Sequence, residues 1–245
     1  MRMNLSNIGH DFIIYDGVNL SDHFTVRTFD MPLLPSIEAS SIEIDGKAGS
    51  WFSRRKIMTR DIIIGLGILN DTKDRDEIME TWFLLSDKLA KDRPCKMEIG
   101  KGLYVNAMFV GESGVTTRKN WSIINATFRC FDPYIYGEEH TETLKSGSNT
   151  IYVKGKYPTY PRLALTASST TVQVQDMDTS DRVRIPSTVS GNTIVIDTEN
   201  CKTMLNGVYK AVDPTVTDFW PLRVGENKLT LTGCSGTLTY REMYL

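Results

Sequence analysis

Ile124-Asn125-Ala126-Thr127-Phe128-Arg129-Cys130 alternates strictly between apolar and polar residues. Successive side chains of a β-strand point to opposite sides. Ile124, Ala126, Phe128 and Cys130 therefore share one face, and Asn125, Thr127 and Arg129 share the other. A strand with one apolar and one polar face belongs to an antiparallel sheet with a core side and a wet side. The same period recurs. Leu163, Leu165 and Ala167 line one face of 162–167, and Val172 and Val174 alternate with Gln173 and Gln175. Val183 and Ile185 alternate with Arg182 and Arg184, and Leu229 and Leu231 with Lys228, Thr230 and Thr232.

One stretch departs from this period. In 74–91, Ile78, Trp82, Leu85 and Leu89 recur at steps of four, three and four, which is one stripe of an α-helix. Asp74 with Glu77 three residues on reads as a capping box. Lys88, Lys91 and Arg93 suit the negative end of the helix dipole, and Pro94 stops continuation. The expectation is a single amphipathic helix packed on a sheet. Residues 137–149 are polar without evident period and read as a linker or long loop. Short alternating segments with turn signals follow Tyr157-Pro158-Thr159-Tyr160-Pro161, as in a β-sandwich or jelly roll. The chain is thus expected to be mainly β: an α+β domain near 1–136 and an all-β domain near 137–245.

At 245 residues the chain is long enough for one large or two modest cores. With 28 basic and 30 acidic residues the formal net charge is −2. That balance speaks against a protein built to grip nucleic-acid phosphates or an anionic membrane. The longest apolar run, 62–69, is interrupted by Gly65 and Gly67 and is far short of the roughly 20 residues of a membrane span. The first eleven residues carry no apolar stretch of the signal-peptide kind, so synthesis in a cytoplasm is expected. Cys95, Cys130, Cys201 and Cys234 form no C-x-x-C pair. Buried free thiols are expected, with a Cys201–Cys234 bridge as the alternative.

Motifs that would carry chemistry are missing from the sequence. His10, His23 and His140 have no partner at metal-ligand spacing and read as surface or loop residues. Gly111-Glu112-Ser113-Gly114 and Gly233-Cys234-Ser235-Gly236 lack the last glycine of a nucleophile elbow and read as turns. Gly65-Leu66-Gly67 follows a strand-like run, but its setting is not a dinucleotide fold, and it reads as a bulge or close backbone contact. Asp176, Asp178 and Asp181 lack the glycine and glutamate positions of a calcium loop and read as a solvated hairpin turn. No enzyme, metal or cofactor is expected. Trp51-Phe52, after a turn-rich stretch, and Trp220, beside Pro221, are the aromatics that could stack on a sugar or anchor an interface.

The order of features carries a resemblance. Phe12-Ile13-Ile14-Tyr15-Asp16-Gly17-Val18 comes first, then Asp45-Gly46-Lys47-Ala48-Gly49, Arg60-Asp61-Ile62-Ile63-Ile64, and the helix. Next come Phe128-Arg129-Cys130-Phe131-Asp132-Pro133-Tyr134-Ile135-Tyr136-Gly137 and Tyr157-Pro158-Thr159-Tyr160-Pro161. Asp218-Phe219-Trp220-Pro221-Leu222-Arg223-Val224-Gly225-Glu226-Asn227-Lys228-Leu229 and Tyr240-Arg241-Glu242-Met243-Tyr244-Leu245 close the chain. In this order and at this length the sequence resembles the distal tail protein family of long, non-contractile-tailed phages and their prophages. Lys47 stands where that family often carries Arg.

The resemblance implies a split-barrel-like sheet with one helix, joined to a galectin-like β-sandwich. It implies a hexameric ring at the virion tail tip, through which DNA passes unbound. The expected partners are the major tail tube protein, a tail-associated lysin or tip fibre protein, and receptor-binding or baseplate proteins. A ring of identical subunits needs two different complementary patches on each. Segments 37–52 and 112–120 are expected to reach a neighbour, with Gly46, Lys47, Gly49, Trp51, Phe52, Arg118 and Lys119 at the assembly interface. No sugar-binding module is expected, and a lectin-like module with Trp220 or Tyr160 on a glycan is the alternative.

Overall fold

A computed structural model describes residues 2–4, 13–22, 24–69, 74–100, 102–112, 114–117, 121–212 and 217–245. His10, His23, Arg118 and Lys119 lie outside the described residues. The chain divides into two compact units, 1–135 with Leu245, and 136–244.

The first unit is a sheet with one helix. Strands β1 (Thr25–Pro32), β2 (Ile37–Glu43), β3 (Ser50–Ile57) and β4 (Arg60–Leu69) precede helix α1 (Arg75–Leu89). Strands β5 (Cys95–Gly100), β6 (Leu103–Glu112) and β7 (Trp121–Cys130) follow it. β4 lies between β1 and β7, and β6 lies on the far side of β7, all antiparallel. The alternation in β7 does what its pattern requires. Ile124, Ala126, Phe128 and Cys130 are buried, facing Ile62, Ile64 and Leu66 of β4 in one core with Met97, Val105 and Ala107. The helix contributes Leu85 and Leu89 to that core, and Trp82 packs on it and stacks on Phe24. Asp74 caps the helix, its carboxylate accepting the Glu77 N–H at 2.9 Å. Lys91, beyond the last turn, pairs with Asp16 at 2.9 Å, and this holds the Asp16 carboxyl below its ordinary range.

The two glycines of β4 mark a close approach. A Cβ on Gly65 would sit 2.3 Å from the Thr28 hydroxyl, and one on Gly67 would sit 3.2 Å from the Arg27 side chain. β1 shifts register by one residue between Val26 and Thr28, opposite this pair. A bulge on one strand and side-chain-free positions on the next are two halves of one arrangement.

The second unit is a sandwich of two sheets. Strands β8 (Ile135–Leu144), β9 (Gly147–Val153), β10 (Arg162–Ala167) and β11 (Thr171–Asp176) are followed by β12 (Arg182–Pro186) and β13 (Thr193–Asp197). Strands β14 (Lys202–Leu205), β15 (Gly225–Thr232) and β16 (Cys234–Tyr244) complete it. One sheet runs β8-β16-β10-β13-β14 and the other β9-β15-β11-β12. Leu163, Leu165, Ile194, Ile196 and Leu238 from the first meet Val153, Val172, Val174, Val183, Leu229 and Leu231 from the second. The last strand therefore packs within the second unit, on β10.

Five sequence expectations are corrected. Residues 137–149 are not a linker: they fill most of β8 and the start of β9. Their backbone is paired in the sheets, so polar side chains suffice on the exposed face, and the Asn149 side chain closes the turn through Lys145 and Gly147. Trp220 is not exposed but buried in the sandwich core. The loop around it is tied down by Asn227, whose side chain accepts from Arg223 N and donates to the carbonyls of Arg223 and Gly225. His140 is no loop residue: it sits on β8, half-buried, with Nε2 2.9 Å from Glu242 and its ring stacked on Tyr240. Cys201, expected inside, is exposed, and all four cysteines are free, so there is no Cys201–Cys234 bridge. Of the three aspartates read as a solvated turn, Asp178 and Asp181 lie in the β11–β12 turn but Asp176 is buried at the end of β11, and Arg223 bonds Asp178 at 2.6 Å and Asp176 at 3.3 Å.

Two predictions follow from this packing. A Cβ on Gly236 would lie 2.1 Å from the Ala164 carbonyl and 2.8 Å from Leu165 Cα, both backbone atoms of the neighbouring strand. Gly236→Ala should cost at least about 2 kcal/mol in urea unfolding, against under about 0.5 kcal/mol for Thr237→Ala beside it. Burial pushes the Cys130 thiol up to about 12 and the Cys234 thiol up to about 11, and only thiolates react with maleimides. Native protein should label once per chain, at Cys201, and four times after unfolding without reductant, as read by intact mass.

Candidate assembly interface

β2 and β3 form a two-stranded hairpin of their own, paired with no other strand among the described residues. It begins at Ile37↔Ile57 and runs to Glu43↔Ser50, with a register shift between Ser40 and Ser41. Gly46 and Gly49 turn its tip at φ +80° and +83°, left-handed values that favour glycine. Met58 N donates to Ser36 O at 2.8 Å and closes the base.

The base is clamped by Arg60. Its guanidinium donates from Nη1 to Pro32 O at 2.8 Å and from Nε to Pro133 O at 3.1 Å. The residue is 0% exposed, and burial lowers its pKa from the usual value. Pro32 is where the chain leaves the sheet for the hairpin, and Pro133 lies in the short connection between β7 and β8. Next to the clamp, Arg129 and Asp61 form a two-bonded pair, 2.8 Å at each contact, that holds the Asp61 carboxyl below its ordinary range.

The hairpin presents apolar surface to solvent on a scale that the rest of the sheet does not. Trp51 is 56% exposed and Phe52 69%, and Ile37, Ile42 and Ile44 are exposed as well. Ile42 lies directly opposite Trp51, and Ser41 opposite Phe52. Adjacent residues of a strand face opposite ways, so an indole stands on one face and a phenyl ring on the other. Lys47 Nζ sits 4.1 Å from the centre of the Trp51 ring, a cation–π contact that organises the tip. Exposed aromatic and aliphatic side chains on a two-sided, edge-bearing hairpin mark an interaction surface.

Five of the seven residues expected at the interface (Gly46, Lys47, Gly49, Trp51 and Phe52) therefore stand together on this hairpin. Ile42 on the facing strand and Ile44 just beyond its end fall within the expected segment 37–52 but were not singled out from the sequence. Their signal was weak because serines and acidic residues flank them. In the second expected segment, Thr116 and Thr117 pair back onto Ile123 and Ser122 of β7.

The second unit carries a polar groove of about 370 Å³ between Tyr160, Arg162, Glu199 and Arg241. Arg241 and Glu139 pair across it at 2.6 Å. Nearby, the Glu242 carboxyl is held below its ordinary range by the Tyr244 hydroxyl at 2.6 Å and by His140. No group of His, Cys, Asp and Glu suited to hold a metal occurs among the described residues.

Residues 154–244 match the family model of the siphovirus-type tail component, C-terminal domain. The distal tail protein of Bacillus phage SPP1 is 26% identical over 206 residues, covering 80% of this chain and 80% of that protein. The crystal structure of the SPP1 protein superimposes with a TM-score of 0.84 at 18% identity, over 95% of this chain and 98% of that one. It is described as a paradigm of the hub of the adsorption apparatus in phages that infect Gram-positive bacteria. The chain is similar to distal tail proteins of siphoviruses in sequence and in fold, the family that the order of its sequence motifs indicates.

An exposed hairpin is where a protease finds backbone it can open. Trypsin should cut first after Lys47, Arg54, Arg55 or Lys56, before any site in β4 or β7, with peptide mass spectrometry as the readout.

Proposed function

We propose that this protein is the structural hub of a phage tail tip, acting as a hexameric ring that joins the tail tube to the tip apparatus and leaves a passage for DNA. The hairpin carries this reading: a chain similar to distal tail proteins that exposes Trp51, Phe52, Ile42 and Ile44 on one protruding element is built to be covered. The first unit forms the ring and abuts the tube. The second unit, a sandwich whose core is independent of the hairpin, supports a lysin, tip fibre or receptor-binding protein. The role is one of assembly and not of catalysis. A formal charge of −2 suits a channel wall, since a strongly basic lumen would hold DNA by counterion release. The work is done in the virion, at the tail tip, after synthesis in the host cytoplasm.

A lectin-like role rests on one observation, the half-exposed Tyr160 at the groove in the second unit. Its other aromatic candidate, Trp220, is inside the core and unable to stack on a sugar.

Light scattering after size exclusion decides between these readings. A species near six times 27.6 kDa, unchanged by glycans, is expected. A strict monomer at all concentrations, with a melting temperature raised by a glycan, would replace the ring with the lectin.

A further inference from the structure

The second unit carries a groove that the hub role does not use. Its volume is about 370 Å³, at the lower end of the range of about 300–1,000 Å³ for small-ligand sites. The floor is fixed. Thr159 is buried there, with its N–H and its carbonyl bonded to Leu222 at 3.0 and 2.7 Å. Tyr240, also buried, lines the groove as well, and its hydroxyl donates to Tyr152 O at 3.0 Å. Tyr160 stands at the rim, 47% exposed. The chain is pinned on both sides of it: Thr159 by the bonds to Leu222, and Pro161 by its carbonyl, which accepts from the Thr198 hydroxyl at 2.7 Å. An exposed ring on a pinned segment is a preorganised flat face.

Two cations, Arg162 and Arg241, and two anions, Glu139 and Glu199, line the groove. Arg241 and Glu139 satisfy each other at 2.6 Å. The Arg162 guanidinium and the Glu199 carboxylate form no hydrogen bond or ion pair with another described residue. Asp197, opposite Arg162 in the sheet, spends its carboxylate on Asn200 at 3.0 and 2.9 Å. The groove therefore offers a free donor fork, a free acceptor and an aromatic face.

That set fits one ligand chemistry. A sugar ring has a face of C–H groups, which the negative face of an aromatic ring attracts, and an edge of hydroxyls that both donate and accept. Arg162 can only donate and Glu199 can only accept, and neighbouring hydroxyls serve both. The lining charges cancel, so the groove favours neither a phosphate nor a cation. An apolar peptide side chain needs an apolar socket, and Thr159 and Thr239 offer hydroxyls instead.

We infer that this groove binds an uncharged sugar unit of a glycan, with Tyr160 stacked on the ring and Arg162 and Glu199 holding its hydroxyls. The site goes beyond the hub role and does not compete with it, since the hairpin belongs to the first unit and the groove to the second. Where six copies share one ring, grooves that are weak singly act together on one polymer.

Saturation-transfer NMR on the full chain tests this. The probes are the methyl glycosides of glucose, galactose, mannose and N-acetylglucosamine, with inorganic phosphate as the charged control. At least one glycoside should bind, and phosphate should not. Tyr160→Ala should weaken that binding by at least about tenfold, whereas Tyr160→Phe, which keeps the ring, should weaken it by less than about threefold. Arg162→Met and Glu199→Gln should each weaken it by about tenfold. All three side chains lie at the exposed rim, so the variants should melt as the parent does and keep its mass in light scattering. The inference is overturned if none of the four glycosides binds, if binding survives Tyr160→Ala, or if phosphate binds in their place. None of these results bears on the hub reading, which stands or falls on the assembled mass of the parent. A changed mass in a groove variant would also overturn the inference, by making the groove a contact between copies.

Discussion

Arg60 is a fully buried cation that binds two carbonyls instead of a carboxylate. Placing a guanidinium inside a protein is costly, and the cost is offset only when its donors are used. Here Nη1 and Nε are spent on Pro32, at the end of β1, and Pro133, between β7 and β8, while Nη2 is buried without a partner. Charge-assisted hydrogen bonds of this kind contribute about 1.5–3 kcal/mol each. They also fix the directions in which the hairpin and the end of β7 set off. An apolar residue at this position would pack but would hold neither carbonyl. The exposed arm is useful only if its base is rigid, and the base is rigid because β4 begins with this residue, paired with Cys130 in the register that also buries Ile62, Ile64 and Leu66.

The sheet seen from that base was largely written in period two. In β7, β10, β11, β12 and β15 the apolar residues of each strand face one core and most polar ones face water, with Ser122, Asp176 and Asn227 as buried exceptions, so composition and geometry largely report the same thing. The helix was legible for the same reason at a different period. What escaped were places where burial and polarity part company. β8 is flanked by sheet neighbours, so its backbone is satisfied by pairing and its side chains need not be apolar; only Gly137 and Leu144 at its ends are buried. Arg60 reads in sequence as a surface residue opening a strand. Trp220 reads as a loop aromatic because Pro221 follows it, yet Asn227 fixes the loop from below and folds the indole inward.

The candidate interface was half legible. Gly46 and Gly49 announce a tight tip, and Trp51-Phe52 after them announces aromatic surface. Nothing local distinguishes such a pair from a loop folded back on its own domain. That distinction depends on β2 and β3 pairing with each other alone, which is a property of the whole sheet order.

An isolated two-stranded hairpin is marginal in water, and an exposed one with free edges invites uncontrolled pairing. This chain keeps such an element with its edges open and its aromatics outward. Three devices contain it. Arg54, Arg55 and Lys56 place like charges along one edge, so the β3 edges of two arms repel each other. The register shift at Ser40–Ser41 breaks the regular edge that another strand would need. Lys47 over Trp51 keeps a charge on the largest apolar face.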